Sequence, residues 1–271
     1  MKRALVSVGF AAVLCLLAGS RAAAGSVVLF DEGHGQQFLA GRSGELDLSA
    51  LAAIFRQSGL EVRTNSGRLD AAALRGIGAL VISGPFSPIA PDEAEAVRVF
   101  VGNGGRLVLM LHIGQPLQVL LERLGIQYSR GPVHEAEGII GGRDLNFTVT
   151  RFRRHAITDG LKDLGVFGCW ALKNFNPEAS EIALTSAGAW LDSDGNGRLS
   201  PGEPVGSHGL VVAGTLSHGA YIVFGDDAIF QNRFLETHNR DLGRRLAHWL
   251  AAAPEAAPRP VSPKQPGGIR L

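Results

Sequence analysis

The chain has 271 residues, 45% of them hydrophobic and 19% charged, with 36 Gly and 13 Pro. That composition suits a folded domain with its own core and excludes a disordered or collagen-like chain. Its 26 Lys and Arg nearly balance 25 Asp and Glu, so it lacks the basic excess that a nucleic-acid partner requires.

Lys2 and Arg3 precede an apolar run over residues 5–17, and Ala22 and Ala24 stand in A-x-A spacing. This pattern predicts a secretory signal peptide over residues 1–24. The run is shorter than the roughly 20 residues of a membrane span, and an uncleaved anchor is the alternative. Leu14 ahead of Cys15, within the apolar run, argues against a lipoprotein site. Cleavage leaves 23 basic against 25 acidic residues, and of the two cysteines only Cys169. The expected location is periplasmic or secreted, with no span after cleavage. An exported chain with one cysteine has no internal disulfide and depends on its core. Cys169, in the apolar stretch 166–170, reads as a buried hydrophobe.

Residues 26–30 form an apolar run that ends in Asp31-Glu32-Gly33-His34-Gly35, a strand opening into a Gly-rich loop. Leu46, Leu48, Leu51, Ile54 and Phe55 recur at helical spacing before Gly59. Residues 60–64 and 79–83 read as strands. Pro91, Asp92 and Glu93 suit a helix's first turn, where Pro lacks the unused N–H and acids meet the dipole. Residues 106–111 form a fourth strand, breaking at His112, and Leu117, Leu120, Leu121 and Leu124 mark another helix.

The second half is less regular. Residues 129–150 carry weak strand signals, while 182–184, 209–215 and 220–224 read as strands. Asp226 and Asp227 suit either a helix cap or the pocket. Leu242, Leu246, Trp249 and Leu250 mark a closing helix. Residues 253–271 are rich in Pro, Ala and charge and read as a disordered tail, leaving one domain over 25–252. Apolar strands alternating with amphipathic helices predict a mainly parallel sheet covered on both faces, with ligands outside the strands' carboxyl ends. Three loops fall there: 31–36, 83–88 and 112–115.

Three short motifs resemble the class I glutamine amidotransferase-like superfamily, in an uncharacterised bacterial branch of the domain of unknown function 4350 type. Val81-Ile82-Ser83-Gly84-Pro85 is similar to the strand ahead of the nucleophile strand. Gly105 to Leu111 with His112-Ile113-Gly114-Gln115 is similar to the nucleophile strand and its elbow. Phe224-Gly225-Asp226 with Asn232, Asn239 and Trp249 is similar to the branch's closing segment. Related modules occur in gliding-motility and intraflagellar-transport proteins. The resemblance implies a three-layer α/β sandwich of flavodoxin-like, class I amidotransferase-like type. It also implies a Cys at the elbow, where this chain has His112. Imidazole is not the thiol that forms a thioester with glutamine, so glutaminase chemistry is expected to be absent.

Asp31, Glu32, His34 and His112 could converge at the strand ends, as a hydrolase's acid–base set or a polar rim. Two His and a carboxylate could also hold a transition metal. His155 begins a turn-like segment, residues 155–160, and the remaining histidines show no metal-ligand spacing.

The most specific motif is residues 192–203, which fit the calcium loop D-x-[DN]-x-[DN]-G-x5-E in full. Asp192, Asp194 and Asn196 would offer side-chain oxygens, Arg198 its carbonyl, Ser200 an oxygen direct or through water, and Glu203 both carboxylate oxygens. The flanks are poor helix formers, which predicts an EF-hand-like loop inserted between strands and holding structural calcium. The leading expectation is an exported, non-catalytic binding or scaffold module for a small-molecule, glycan or protein ligand at the strand-end pocket. The alternative is a periplasmic hydrolase using His34 or His112 with Asp31 or Glu32.

Overall fold

The computed structural model describes residues 27–252. The expected signal peptide over residues 1–24 and the expected tail over 253–271 lie outside the described residues. Among the described residues, no helix is long and apolar enough to cross a membrane.

The amino-terminal half runs β1 (Val27–Asp31), α1 (Ser49–Gln57), β2 (Glu61–Asn65), β3 (Ala79–Ser83), α2 (Pro91–Gly102), β4 (Arg106–Met110) and α3 (Gln118–Arg123). Each strand is short and separated from the next by enough chain to cross over, so β2, β1, β3 and β4 pair in parallel. β3 and β4 are buried at every position, which is why they read as unbroken apolar runs. Helix α1 is capped by Ser58, and Gly59 follows at φ +83°, a left-handed conformation that Gly adopts without strain.

The carboxyl-terminal half is built differently. Its strands are β5 (Ile126–His134), β6 (Ile139–Ile140), β7 (Arg143–Val149), β8 (Arg151–Phe152), β9 (Leu164–Phe167), β10 (Trp170–Asn174), β11 (Ala179–Leu184), β12 (Trp190–Leu191), β13 (Gly209–Leu216) and β14 (Gly219–Phe224). One turn α4 (Asn232–Phe234), a wide turn over Leu235–Asn239 and α5 (Arg240–Ala251) close the described chain.

The main sheet has 11 strands, in the order β12-β5-β10-β13-β14-β4-β3-β1-β2, with β11 on β13 and β8 on β11. Strands β6, β7 and β9 make a separate antiparallel sheet.

This corrects the expected flavodoxin-like, class I amidotransferase-like sandwich with a mainly parallel sheet. Only the pairings among β2, β1, β3, β4 and β14 are parallel, and those of β13 with β14, β10 and β11, of β5 with β10 and β12, and of β8 with β11 are antiparallel. The physical reason lies in the connections. No helix separates the strands from β5 to β14, so the chain returns by turns and its strands run antiparallel. The alternation of the first half does not extend to the second.

The core lies on both faces of the parallel strands. On one face Leu51, Ile54 and Phe55 of α1 and Leu242 and Leu246 of α5 meet Val28, Phe30, Val81 and Val108. On the other, Ala94, Val97 and Val101 of α2 and Leu120 and Leu121 of α3 meet Leu29, Leu80, Ile82 and Leu109. Each fully buried aliphatic or aromatic side chain stabilises the fold by about 1.5–3 kcal/mol.

Candidate functional site

At the carboxyl ends of β1, β3, β4 and β14 the structure places two imidazoles in two separate networks. The first surrounds His34. Its Nδ1 lies 2.8 Å from Asp31 Oδ2 and its Nε2 3.3 Å from Glu93 Oε1. Gln36 donates to Asp31 Oδ2 at 2.5 Å, and its own Oε1 accepts the His34 amide at 2.7 Å. Glu93 also accepts the amides of Leu69 and Ala90, at 2.9 and 3.2 Å. His34, Asp31, Gln36 and Glu93 are all buried. Burial alone would push the imidazole's pKa down, but the Asp31 and Glu93 carboxylates prevail and raise it. Burial would likewise lift the Glu93 carboxyl, but the Leu69 and Ala90 amides and His34 hold it below its ordinary value. With a carboxylate on each ring nitrogen, His34 is an imidazolium clamp between β1 and the first turn of α2.

The second network surrounds His112, just beyond β4. Its Nδ1 lies 3.1 Å from Asp227 Oδ1, and its side chain is 38% exposed. Nε2 has no hydrogen-bond partner among the described residues. The ring sits between two phenyl groups, with centroids 5.5 Å from Phe38 and 5.0 Å from Phe86. Its backbone is fixed because His112 O accepts Trp170 Nε1 at 2.9 Å. The bond to Asp227 raises the imidazole's pKa against the opposing effect of burial, with further help from the Asp226 charge.

The acidic pair behind this imidazole divides in two. Asp226 is sealed, its two oxygens accepting the amides of Phe167 and Ala228 at 2.8 Å each. Burial and the neighbouring Asp227 charge push its carboxyl up to about 7. Asp227 is also buried, which raises its pKa, but only Oδ1 is engaged. Its Oδ2 and the hydroxyl of Ser83 are buried without a hydrogen-bond partner. Gly84, at φ +50°, is required here, since a Cβ would run into Asp227 Oδ2.

Asp31 and His34 therefore come together, while His112 belongs to another group. Glu32 joins neither; its Oε1 accepts the Ala40 amide at 3.0 Å and ties down the loop. No described contact joins the two imidazoles. Glu93 and Asp227 were not singled out from the sequence as their partners. Glu93 is a first-turn acid by position, and only the chain fold turns it inward. Asp227 carried a usable signal, a doublet of acids directly after an all-apolar strand. The residues of the closing segment hold the scaffold. Asn232 Oδ1 accepts the Ala50 amide at 2.8 Å in the first turn of α1, and Asn239 brackets Gly165 with both ends of its amide. A cavity of about 520 Å³ lies elsewhere, at the amino ends of β3 and β4, lined mainly by apolar groups of Leu74, Ile77, Ala96, Val99 and Phe100.

The acidic loop sits at the far edge of the main sheet. β12 pairs with β5, Trp190 opposite His134, and Trp190 also bridges to Val205 beyond the loop. The loop is thus carried between strand-like segments with no helix on either side. Its carboxylates turn inward: oxygens of Asp192, Asp194 and Glu203 lie within 4.8 Å of one another. Asp192 accepts the amides of Gly195, Asn196 and Gly197 at 2.8–3.1 Å, so its pKa is lowered although burial opposes the shift. Glu203 accepts the amides of Ser193 and Ser200 at 2.6 and 2.9 Å. Gly195 and Gly197, at φ +75° and +72°, permit the tight winding.

Asn196 and Ser200 join the same cluster, Asn196 Nδ2 lying 2.8 Å from both Asp194 Oδ2 and Ser200 Oγ. To ligate a cation Asn196 must turn its amide over, releasing Oδ1 from the Arg198 amide. The donor set of three carboxylates, an amide, a hydroxyl and the Arg198 carbonyl is all oxygen and suits a hard cation. Behind the loop, His134 stacks on Trp190 at 4.1 Å, and its Nε2 lies 3.7 Å from Asp192 Oδ2.

Several solved structures share this fold at low identity. The mmIFT52 N-terminal domain matches with a TM-score of 0.68 and 16% identity, over 83% of this chain and 98% of that domain. Cytoplasmic Protein STM1381 from Salmonella typhimurium LT2 matches with a TM-score of 0.53 and 17% identity, over 84% and 100%. A putative thua-like protein from Bacteroides uniformis ATCC 8492 matches with a TM-score of 0.51 and 11% identity, over 91% and 97%. At such identities the likeness is one of fold, and it agrees with the mixed sheet described above. No curated protein matches the chain. Residues 46–251 match the family described as Domain of unknown function (DUF4350), and the chain belongs to that family.

Proposed function

We propose that this protein is an exported binding or scaffold module whose loop 192–203 takes a structural calcium ion. The observation that carries the reading is the convergence of the Asp192, Asp194 and Glu203 carboxylates within 4.8 Å. Three like charges so close repel one another, and a bound cation would offset that repulsion beyond what the loop's amides do. In this reading Asp192, Asp194, Asn196, Arg198, Ser200 and Glu203 hold the ion, and the ion joins the loop to β12 and β5. The affinity is on the order of 10⁻⁴–10⁻³ M, as in extracellular calcium modules. With no flanking helix pair, calcium braces the sheet edge and opens no groove. The ligand, a small molecule, glycan or protein, is received at the strand-end pocket around His112.

Glutaminase chemistry has no part in this reading. An imidazole occupies the elbow, and Cys169 is fully buried, its thiol pushed well up by burial and by Asp226.

Calorimetric calcium titration and thermal melting of the mature chain test the proposal. The expected result is saturable binding and a raised melting temperature, both lost in Glu203→Gln. At a calcium concentration 100 times Kd the gain is about 2.7 kcal/mol. Absence of both heat and shift at calcium of about 10⁻² M, some ten times the weakest expected Kd, overturns it.

A further inference from the structure

His34 and His112 stand at the same end of the sheet, but their surroundings differ in kind. Both nitrogens of His34 are occupied by carboxylates within a buried network. Asp226 likewise has an amide on each oxygen. These are satisfied groups, as buried polar side chains ordinarily are. Of the second pair, Asp227 leaves a buried oxygen unpaired and His112 is 38% exposed. One imidazole nitrogen is held and the other has no partner among the described residues, in a ring beside Phe38 and Phe86. One oxygen of Asp227 is held and the other is buried without a partner.

We propose that His112 and Asp227 form a general-base dyad that hydrolyses an uncharged carboxylic ester whose apolar arm lies against Phe38 and Phe86. This goes beyond the binding reading above and does not depend on calcium being held.

The geometry supplies the parts of such a dyad. Asp227 is only 2% exposed, so it orients and steadies the ring without meeting substrate. Trp170 Nε1 donates to His112 O and fixes the backbone that carries the ring. The tautomer with hydrogen on Nδ1 leaves the Nε2 lone pair free to take a proton. In the step, Nε2 takes a proton from water as the water oxygen bonds to the ester carbonyl carbon. The bond from that carbon to the alkoxy oxygen then breaks, and the departing oxygen takes the proton from Nε2. Ester and water become acid and alcohol, and the imidazole returns to its starting form.

The surroundings select the substrate. The charged groups facing the ring are Asp227 and Asp226, both from the segment after β14; the loops after β1 and β3 offer Phe38 and Phe86. No described cation faces the ring, and two acids behind it disfavour an anionic substrate. Phe86 and Ile113 are 40% and 36% exposed and extend the apolar wall to the rim. The acids themselves are too deeply buried to flank a glycosidic bond.

The test is hydrolysis of p-nitrophenyl butyrate by the full chain across pH 5–9. The imidazole works as the free base, so kcat/KM should rise with pH through a midpoint above 6.5, because Asp227 raises the ring's pKa. His112→Ala should lower kcat/KM about 100-fold or more. Asp227→Asn should lower it comparably and move the midpoint down, and Phe86→Ala should raise KM with little change in kcat. Thermal melting shows whether each variant remains folded. Should His112→Ala unfold, the wild-type pH profile and Asp227→Asn still decide. Wild-type hydrolysis no faster than buffer, a flat pH profile, or full activity in folded His112→Ala overturns the proposal.

Discussion

His34 predicts a pH dependence of stability. Its pKa in the folded chain lies above the ordinary 6.5, because the pull of Asp31 and Glu93 exceeds the effect of burial. A group raised in this way contributes its full stability below about pH 6.5 and loses it as pH rises through the folded value. Glu93 has the opposite sign: its contribution is present above about 4.5 and fails as pH falls through its lowered value. His34→Ala leaves two buried acids without their cation and should cost about 3–5 kcal/mol near pH 6. The difference between wild type and variant, read from denaturant unfolding, should narrow as pH rises from 6 to 9; a constant difference would refute the charged clamp. The sequence showed Asp31 and His34 as polar residues on a Gly-rich turn, and their pairing follows from i,i+3 proximity. The other two carboxylates were hidden because Glu93 and Asp227 lie 59 and 115 positions from the histidines they meet. Side-chain pairing at that separation is a product of topology, and periodicity carries no trace of it.

At the scale of elements, the acidic loop depends on how closely β12 approaches β5. Asp192 N donates to Pro132 O at 3.1 Å, and Gly131 beside it has no side chain to obstruct the Asp192 carbonyl. A Cβ on Gly131 would collide with that carbonyl oxygen, a backbone atom that can yield only if the strands part. Gly131→Ala is therefore expected to destabilise the fold by about 1–3 kcal/mol and to weaken calcium binding, measured by the same titration as Glu203→Gln. Unchanged affinity in a folded Gly131→Ala chain would separate the loop from the strand pairing.

Elements were legible where burial was uniform. β3 and β4, buried throughout, were readable as apolar runs, and the Pro and acids at 91–93 marked the start of α2. β5 and β7 were obscured because exposed and buried positions mix along them, with Gly131 and Pro132 interrupting the first. The apolar stretch 166–170 is in fact two strand ends: β9 stops at Phe167, Gly168 turns at φ +92°, and β10 begins at Trp170. The calcium-type loop was legible in full as a pattern, because its spacing is local and every donor is within twelve residues.

Across the whole molecule, the acidic loop and the His112 dyad occupy different parts of one sheet. The loop hangs from β12 at the outer edge, while the dyad stands over β4 and β14. Calcium should therefore slow amide hydrogen exchange most in β12 and β5 and least in β1–β3. Uniform slowing would mean that the ion acts on global unfolding alone. The parallel half of the sheet was legible because helices punctuate it. The antiparallel half was not, since short strands joined by turns leave no alternating signature that fixes their partners.

The seam between the halves governs how the molecule can be assembled. β4 pairs with β14, Arg106 opposite Ala220, so the strand that covers its free edge is synthesised long after it. Until residue 224 arrives, β4 offers an open ladder of buried-type apolar residues, the form of edge that recruits other chains. Such long-range closure is slow relative to helix formation. A chain that emerges amino-terminus first must hold that edge unpaired while β5 to β13 are built, which makes its nascent form one that needs shielding from its own copies.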